Sequence, residues 1–238
     1  MKFIAMIPAR YAATRFPGKL MKMLGDKPVI AHTFLNTVAT GVFDQVIVVT
    51  DSDIIYQTIE SYGGTAIMSK KSHESGSDRI AEAIEDMDLA VVVNVQGDEP
   101  FVDKDPLEKL VALFQDKTVQ VGSIMQPIYD RALIEDPNNV KVVVNEKMDS
   151  LLFSRSPIPY LRDENTGYTY YHHKGVYAYR KEALLKFTSW KMTPLEAAEK
   201  IECLRYLEHG VPLRMVLTQS SSIGIDTPED LKRAEKFL

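Results

Sequence analysis

Apolar residues in this 238-residue chain fall first into short, unbroken runs. Phe3-Ile4-Ala5-Met6-Ile7 ends at Pro8, and Gln45-Val46-Ile47-Val48-Val49-Thr50 ends at Asp51. Ala90-Val91-Val92-Val93-Asn94-Val95 ends at Gln96-Gly97-Asp98. Runs of this kind, with few polar interruptions, suit strands covered on both faces of a parallel sheet. Between them the spacing changes to that of a helix: Val29, Ile30, Thr33, Phe34, Thr37 and Val38, then Ile54, Ile55, Thr58, Ile59 and Tyr62, then Ile80, Ala83, Ile84 and Met87. Asp51 or Ser52 is placed to cap the second helix, and Gly63-Gly64 to stop it. Strand-helix-strand alternation predicts an α/β protein with a Rossmann-like, mostly parallel sheet flanked by helices.

Past about residue 120 the rhythm changes. Residues 119–125, 140–144 and 150–153 read as strands without long helices between them, and 168–179 is aromatic and alternating. Residues 181–187 and 194–209 turn helical, 213–217 returns to strand and 228–237 to helix. The expectation is one domain over 1–238, with a mixed, partly antiparallel extension at roughly 120–212 that covers the substrate cleft.

Composition narrows the function. With 45% hydrophobic and 26% charged residues the chain has an ordinary globular balance. A formal charge of -5 argues against a broad nucleic-acid surface, while leaving room for a small phosphate pocket. One cysteine excludes an internal disulfide and fits a reducing cytosol. The apolar run 2–7 is too short for a signal peptide or spanning helix, and no later stretch reaches membrane length, so a cytoplasmic location is expected.

In open α/β sheets ligands collect beyond the carboxyl ends of the strands, so the residues after each apolar run carry the chemistry. Residues 8–19 hold Arg10, Arg15 and Lys19 among small residues, which suits a triphosphate; a solvated basic loop explains the same cations. Asp98, in Gln96-Gly97-Asp98-Glu99-Pro100, is placed to hold Mg²⁺ against phosphate oxygens, unless Asp98 or Glu99 caps a helix opening near Pro106. Asp226 offers a second carboxylate, and Thr227-Pro228-Glu229-Asp230 is at once a good helix start; both roles are compatible.

With these loops the sequence resembles the 3-deoxy-manno-octulosonate cytidylyltransferases (CMP-Kdo synthetases) over nearly its whole length. The resemblance is carried, in order, by Ile7-Pro8-Ala9-Arg10-Tyr11, Phe16-Pro17-Gly18-Lys19, Ser75-Gly76-Ser77-Asp78-Arg79, Val93 to Pro100, Phe153-Ser154-Arg155, His173-Lys174-Gly175-Val176-Tyr177 and Asp226 to Asp230. It implies transfer of CMP from CTP to the anomeric hydroxyl of an octulosonate-type sugar acid, for lipopolysaccharide synthesis, by a cytoplasmic homodimer. It implies that Arg10, Arg15 and Lys19 bind the phosphates, with Ser75, Gly76 and Arg79 near the nucleotide. Asp98 and Asp226 would hold Mg²⁺, and Asp98, Lys19 and Arg10 would carry catalysis. Gln96, Arg155, Arg162, His173, Tyr177, Glu202 and Cys203 would line the sugar pocket.

Other readings stand beside the sugar set. Tyr177 lies among alternating tyrosines, some of which belong in a core, and adjacent His172 and His173 point to opposite faces of a strand. Glu202 and Arg205 have the spacing of an i,i+3 surface pair. The chain also departs from the family's usual pattern, with Cys203 where Gln is usual, Lys174 where an apolar residue is usual, and a shortened stretch between Arg162 and His173. These changes leave Kdo and its 8-amino analogue both open as acceptor, and a thiol at Cys203 in the pocket would make the enzyme sensitive to alkylation. A CMP-sialic acid type of transferase and a non-catalytic nucleotide-binding regulator are the alternatives.

Overall fold

The computed structural model describes residues 2–12, 16–73, 75–163, 166–220 and 224–238. The chain forms two compact units, Met1–Leu107 with Ser221–Leu238, and Glu108–Ser220.

In the first unit, β1 (Phe3–Ala9) is followed by a short hairpin, β2 (Met23–Leu24) and β3 (Lys27–Pro28), and by α1 (Val29–Ala39). Then come β4 (Gln45–Thr50), α2 (Asp53–Ser61), β5 (Thr65–Met68), α3 (Gly76–Ile84), β6 (Val91–Asn94) and α4 (Lys104–Ala112), within which the boundary falls. The strands run β6-β1-β4-β5, every pairing parallel, with Ile4 opposite Gln45 and Phe3 opposite Val91. This is the parallel sheet the apolar runs predict. Ile4 to Ile7, Ile47 to Val49 and Val91 to Val93 are all buried. Val29, Ile30, Thr33, Phe34 and Thr37 of α1 are buried too, whereas Val38 at the end of the expected stripe is exposed. Strand β5 is not legible in the sequence, because its four residues are only partly covered and too few to show a period. Helix α2 starts at Ser52 and stops where the Gly63 and Gly64 N–H groups close back on Glu60 and Ile59.

The second unit contains β7 (Val121–Ile128), α5 (Arg131–Glu135), β8 (Lys141–Val144), β9 (Ser150–Ser154), β10 (Tyr170–Arg180), α6 (Lys181–Ser189), α7 (Pro194–Glu199), α8 (Leu204–Glu208) and β11 (Leu213–Leu217). Its strands run β11-β7-β10-β8-β9, parallel for the first pairing and antiparallel for the rest. The helical stretch expected at 194–209 is two helices, because the chain turns through a left-handed residue at Lys200 (φ 54°). The final helix, α9 (Pro228–Ala234), belongs to the first unit.

No helix among the described residues is long and apolar enough to cross a membrane.

Candidate active site

The loops after β1 and β6, the start of α3 and the loop before α9 line one cavity of about 280 Å³ within the first unit. Arg10, Lys19, Ser75, Gly76, Arg79, Gln96, Asp98 and Asp226 all face it. Arg15 lies outside the described residues.

Local structure explains the convergence. Strand β1 runs into Pro8 and Ala9, and Gly18, at φ 66°, turns the chain back so that its N–H reaches Tyr11 O at 3.2 Å. Lys19 opens the single 3₁₀ turn that follows. Beyond β6, Gly97 passes so close to β1 that a Cβ there would sit 3.2 Å from Pro8 O. Helix α1 anchors this loop from below: Thr33 Oγ1 donates to Gly97 O at 2.9 Å, and Asn36 Nδ2 to Pro100 O at 2.7 Å. Ile225 N–H donates to Asp98 O at 2.9 Å, which ties the loop carrying Asp226 to the loop carrying Asp98.

The helix-start reading of Thr227 and the cleft reading of Asp226 hold together. Thr227 Oγ1 accepts from Asp230 N–H at 3.2 Å and Asp230 Oδ2 accepts from Thr227 N–H at 2.9 Å, a reciprocal cap with Pro228 at the first helical position. At the start of α4 it is Asp103, by accepting from Asp105 N–H at 3.3 Å, that serves the helix opening near Pro106.

The electrostatic centre is Lys19. Its ammonium donates to Asp98 Oδ2 and, at 2.8 Å, to Asp226 Oδ1. Burial pulls the Lys19 pKa down, but the two carboxylates outweigh it and hold the group above its ordinary value. Arg10 is exposed at the cavity rim. Arg79 is buried and committed elsewhere: it donates to Asp51 Oδ2 at 2.6 Å and Ser69 Oγ at 3.2 Å, at the ends of β4 and β5. Ser75 caps α3, its Oγ accepting from Asp78 N–H at 3.1 Å. Gln96, expected on the sugar, lines this same cavity.

No motif in the sequence marks His73. It too lines the cavity, and its Nε2 lies 2.9 Å from Glu82 Oε2, which also accepts from Lys70 N–H at 3.0 Å. Burial pushes the Glu82 carboxyl up, and the hydrogen bonds from His73 and Lys70 outweigh it, leaving the pKa below its usual value. The available signal was position alone, two residues before Ser75.

The remaining residues expected on the sugar all belong to the second unit. Arg155 directs its guanidinium at backbone: Nε to Glu199 O at 2.6 Å, Nη1 to Pro137 O at 2.8 Å and Nη2 to Lys200 O at 3.3 Å. Arg162 is exposed. His173 is buried, with Nε2 2.9 Å from Ser123 Oγ, and burial lowers its pKa to about 3. On the opposite face of β10, burial lowers His172 to about 4. Tyr177 and Cys203 are hydrogen-bond partners, and burial raises both pKa values. Cys203 is 3% exposed, so the expected sensitivity to alkylation is corrected: a covered, protonated thiol is a poor nucleophile. Arg205 N–H reaches Glu202 O at 3.1 Å, and the Arg205 side chain grips Glu196, with Nε 2.7 Å from Oε2.

Among the described residues no group of three or more His, Cys, Asp or Glu could hold a metal ion; the Asp98 and Asp226 pair is the oxygen-donor arrangement that the cavity offers.

A sequence model of the cytidylyltransferase family matches residues 4–219. The 3-deoxy-manno-octulosonate cytidylyltransferases of Christiangramia forsetii and Flavobacterium johnsoniae are each 55% identical to the chain over its full length, covering 97% and 99% of those proteins. The chain belongs to the 3-deoxy-manno-octulosonate cytidylyltransferase family. As a member of that family it is a nucleotidyltransferase. A solved CMP:2-keto-3-deoxy-manno-octonic acid synthetase complexed with CTP superposes with a TM-score of 0.95 at 34% identity, covering 100% of this chain and 98% of that one. A 4-diphosphocytidyl-2C-methyl-D-erythritol synthase from Anaerococcus prevotii shares the fold alone, at a TM-score of 0.65 and 17% identity over 99% and 98% of the two chains.

Proposed function

We propose that this cytidylyltransferase joins CMP from CTP to the anomeric hydroxyl of 3-deoxy-manno-octulosonate (Kdo) and releases pyrophosphate. The observation that carries the reading is the first-unit cavity, where Arg10 and Lys19 face Asp98 and Asp226 at the ends of a parallel sheet. The relatives named for this sugar acid at 55% identity support Kdo as the acceptor.

In the reaction the sugar's anomeric oxygen bonds to the α-phosphorus while the bond to the bridging α,β-oxygen breaks. The electron pair leaves with pyrophosphate, and the hydroxyl proton is lost to water or a base. Arg10 and Lys19 supply cationic donors for the triphosphate, which suits a reaction driven by positioning and charge. Helix α1 and Gly97 hold the Asp98 loop in place, so the charges are arranged before substrate enters.

The chemistry of the donor set fits magnesium. Asp98 and Asp226 are hard oxygen donors that already share one cation, and Mg²⁺ takes one or two carboxylates beside phosphate oxygens. Bound there it would neutralise charge on the phosphates. The cytoplasmic homodimer and the role in lipopolysaccharide synthesis belong to the same proposal.

The test is pyrophosphate release from CTP with Kdo and with 8-amino-Kdo at matched concentrations. A higher kcat/KM for Kdo is expected. A higher value for the amino sugar would move the assignment to the 8-amino branch, and release with neither sugar would remove the acceptor assignment.

A further inference from the structure

The cation expected to meet phosphate is already occupied. Lys19 Nζ donates to Asp98 Oδ2 and to Asp226 Oδ1 at 2.8 Å, from a side chain only 15% exposed. The two carboxylates come from loops that the Ile225 N–H to Asp98 O bond holds together. One positive charge therefore bridges two negative groups, and that is also the place a divalent cation would take between them.

We propose that Lys19 is an internal counter-cation: without nucleotide its ammonium fills the divalent position between Asp98 and Asp226, and it yields that position when a triphosphate offers it new oxygens. The proposal rests on the reading of Asp98 and Asp226 as magnesium carboxylates.

The physical reason is charge balance in a partly covered site. A dication that entered while the ammonium stayed would place three positive charges against two negative ones within a few ångströms, where water screens weakly. Driving the ammonium out alone would leave a mostly covered cation with neither acceptor. A triphosphate removes both obstacles, because its oxygens accept from Nζ and coordinate the metal together. Metal uptake is then coupled to nucleotide, and by linkage each raises the affinity for the other by the same factor. The two carboxylates are kept neutralised and in place between turnovers, and the metal arrives with CTP instead of ahead of it.

Mn²⁺ serves as the probe, its protein-bound fraction read by electron paramagnetic resonance against Mn²⁺ with CTP in the absence of protein, so that the readout is binding and not activity. Titrations of wild type, Lys19→Met and Lys19→Gln are made without and with CTP, with folding checked by circular dichroism. Without nucleotide both variants bind Mn²⁺ at least roughly tenfold more tightly than wild type, because a repelling unit charge is gone. The enhancement of Mn²⁺ binding by CTP, large in wild type, shrinks in the variants by a similar factor. Equal or weaker Mn²⁺ binding by the nucleotide-free variants overturns the proposal, provided that CTP-loaded wild type binds the ion. Wild type alone also decides: if it binds Mn²⁺ as tightly without CTP as with it, Lys19 is no barrier. Failure of wild type to bind Mn²⁺ even with CTP would remove the carboxylate assignment itself, and the counter-cation with it.

Discussion

Lys19 and Arg155 are both cations downstream of a β-strand, and the family resemblance implies a ligand-binding role for both. In the first unit Lys19 meets two carboxylates from other loops on the wall of a cavity. In the second unit Arg155 is wrapped in the carbonyls of Pro137, Glu199 and Lys200. His173, Tyr177 and Cys203 behave as Arg155 does, each with a partner inside its own unit. A parallel sheet gathers the ends of its strands at one edge, so residues distant in sequence converge there. An antiparallel sheet of long strands passes its side chains into two faces, where a polar group is as easily part of the packing as part of a site.

The sharpest way to break this contrast is to remove charge from the first unit. Asp98→Asn is expected to lower kcat by roughly 10³-fold, the scale of losing one group that acts on developing charge. Retention within a few-fold at saturating Mg²⁺ would dissolve the assignment. The circular dichroism spectrum should not change, because Asp226 still holds Lys19.

In the second unit the largest effects should fall on stability instead. Arg205 forks onto Glu196, with Nε at 2.7 Å from Oε2, sits 4.3 Å from the centre of the Phe187 ring, and is mostly covered. Arg205→Ala leaves the buried Glu196 carboxylate without its partner, and should cost about 3 kcal/mol of unfolding free energy in urea. A cost below about 1 kcal/mol would mean the pair behaves as a solvated surface contact.

A smaller effect is expected from pH. The folded pKa of His173, at about 3, lies below its unfolded value, so the unfolded chain binds a proton first as pH falls. Its stabilising contribution is present above about pH 6.5 and is lost progressively on acidification from there towards pH 3, with a limiting slope of roughly 1.4 kcal/mol per pH unit. His172, lowered to about 4, adds to the loss in the same direction. The urea midpoint of His173→Asn should fall less between pH 6.5 and 4.5 than that of wild type; an equal fall would contradict the buried neutral imidazole. Least of all should come from the thiol: iodoacetamide at pH 8 should add no mass to the native protein and one adduct in urea. Adduct formation by the native protein would mean that Cys203 is accessible.

What the sequence made legible divides along the same line. Continuous apolar runs showed β1, β4 and β6, and the segments that follow β1 and β6 bring Arg10, Lys19 and Asp98 to the cavity. Asp226 was readable because a cap box beside it fixed where α9 begins. Strand β5 was not, having four half-covered residues, and His73 was missed because its partner Glu82 lies a helix away. In the second unit the strand pattern was readable, but the commitments of Arg155 and Arg205 depend on backbone carbonyls and on Glu196, which no spacing rule reveals. The turn at Lys200 that splits the 194–209 stretch leaves no glycine or proline signal.

The central claim is that the first-unit cavity holds the nucleotide, and amide hydrogen exchange with CTP and Mg²⁺ tests it most directly. Peptides covering 8–12, 75–79 and 96–99 are predicted to exchange several-fold more slowly when CTP is bound, since ligand-held backbone opens less often. Slowing confined to 108–220, or none at saturating CTP, would contradict the account.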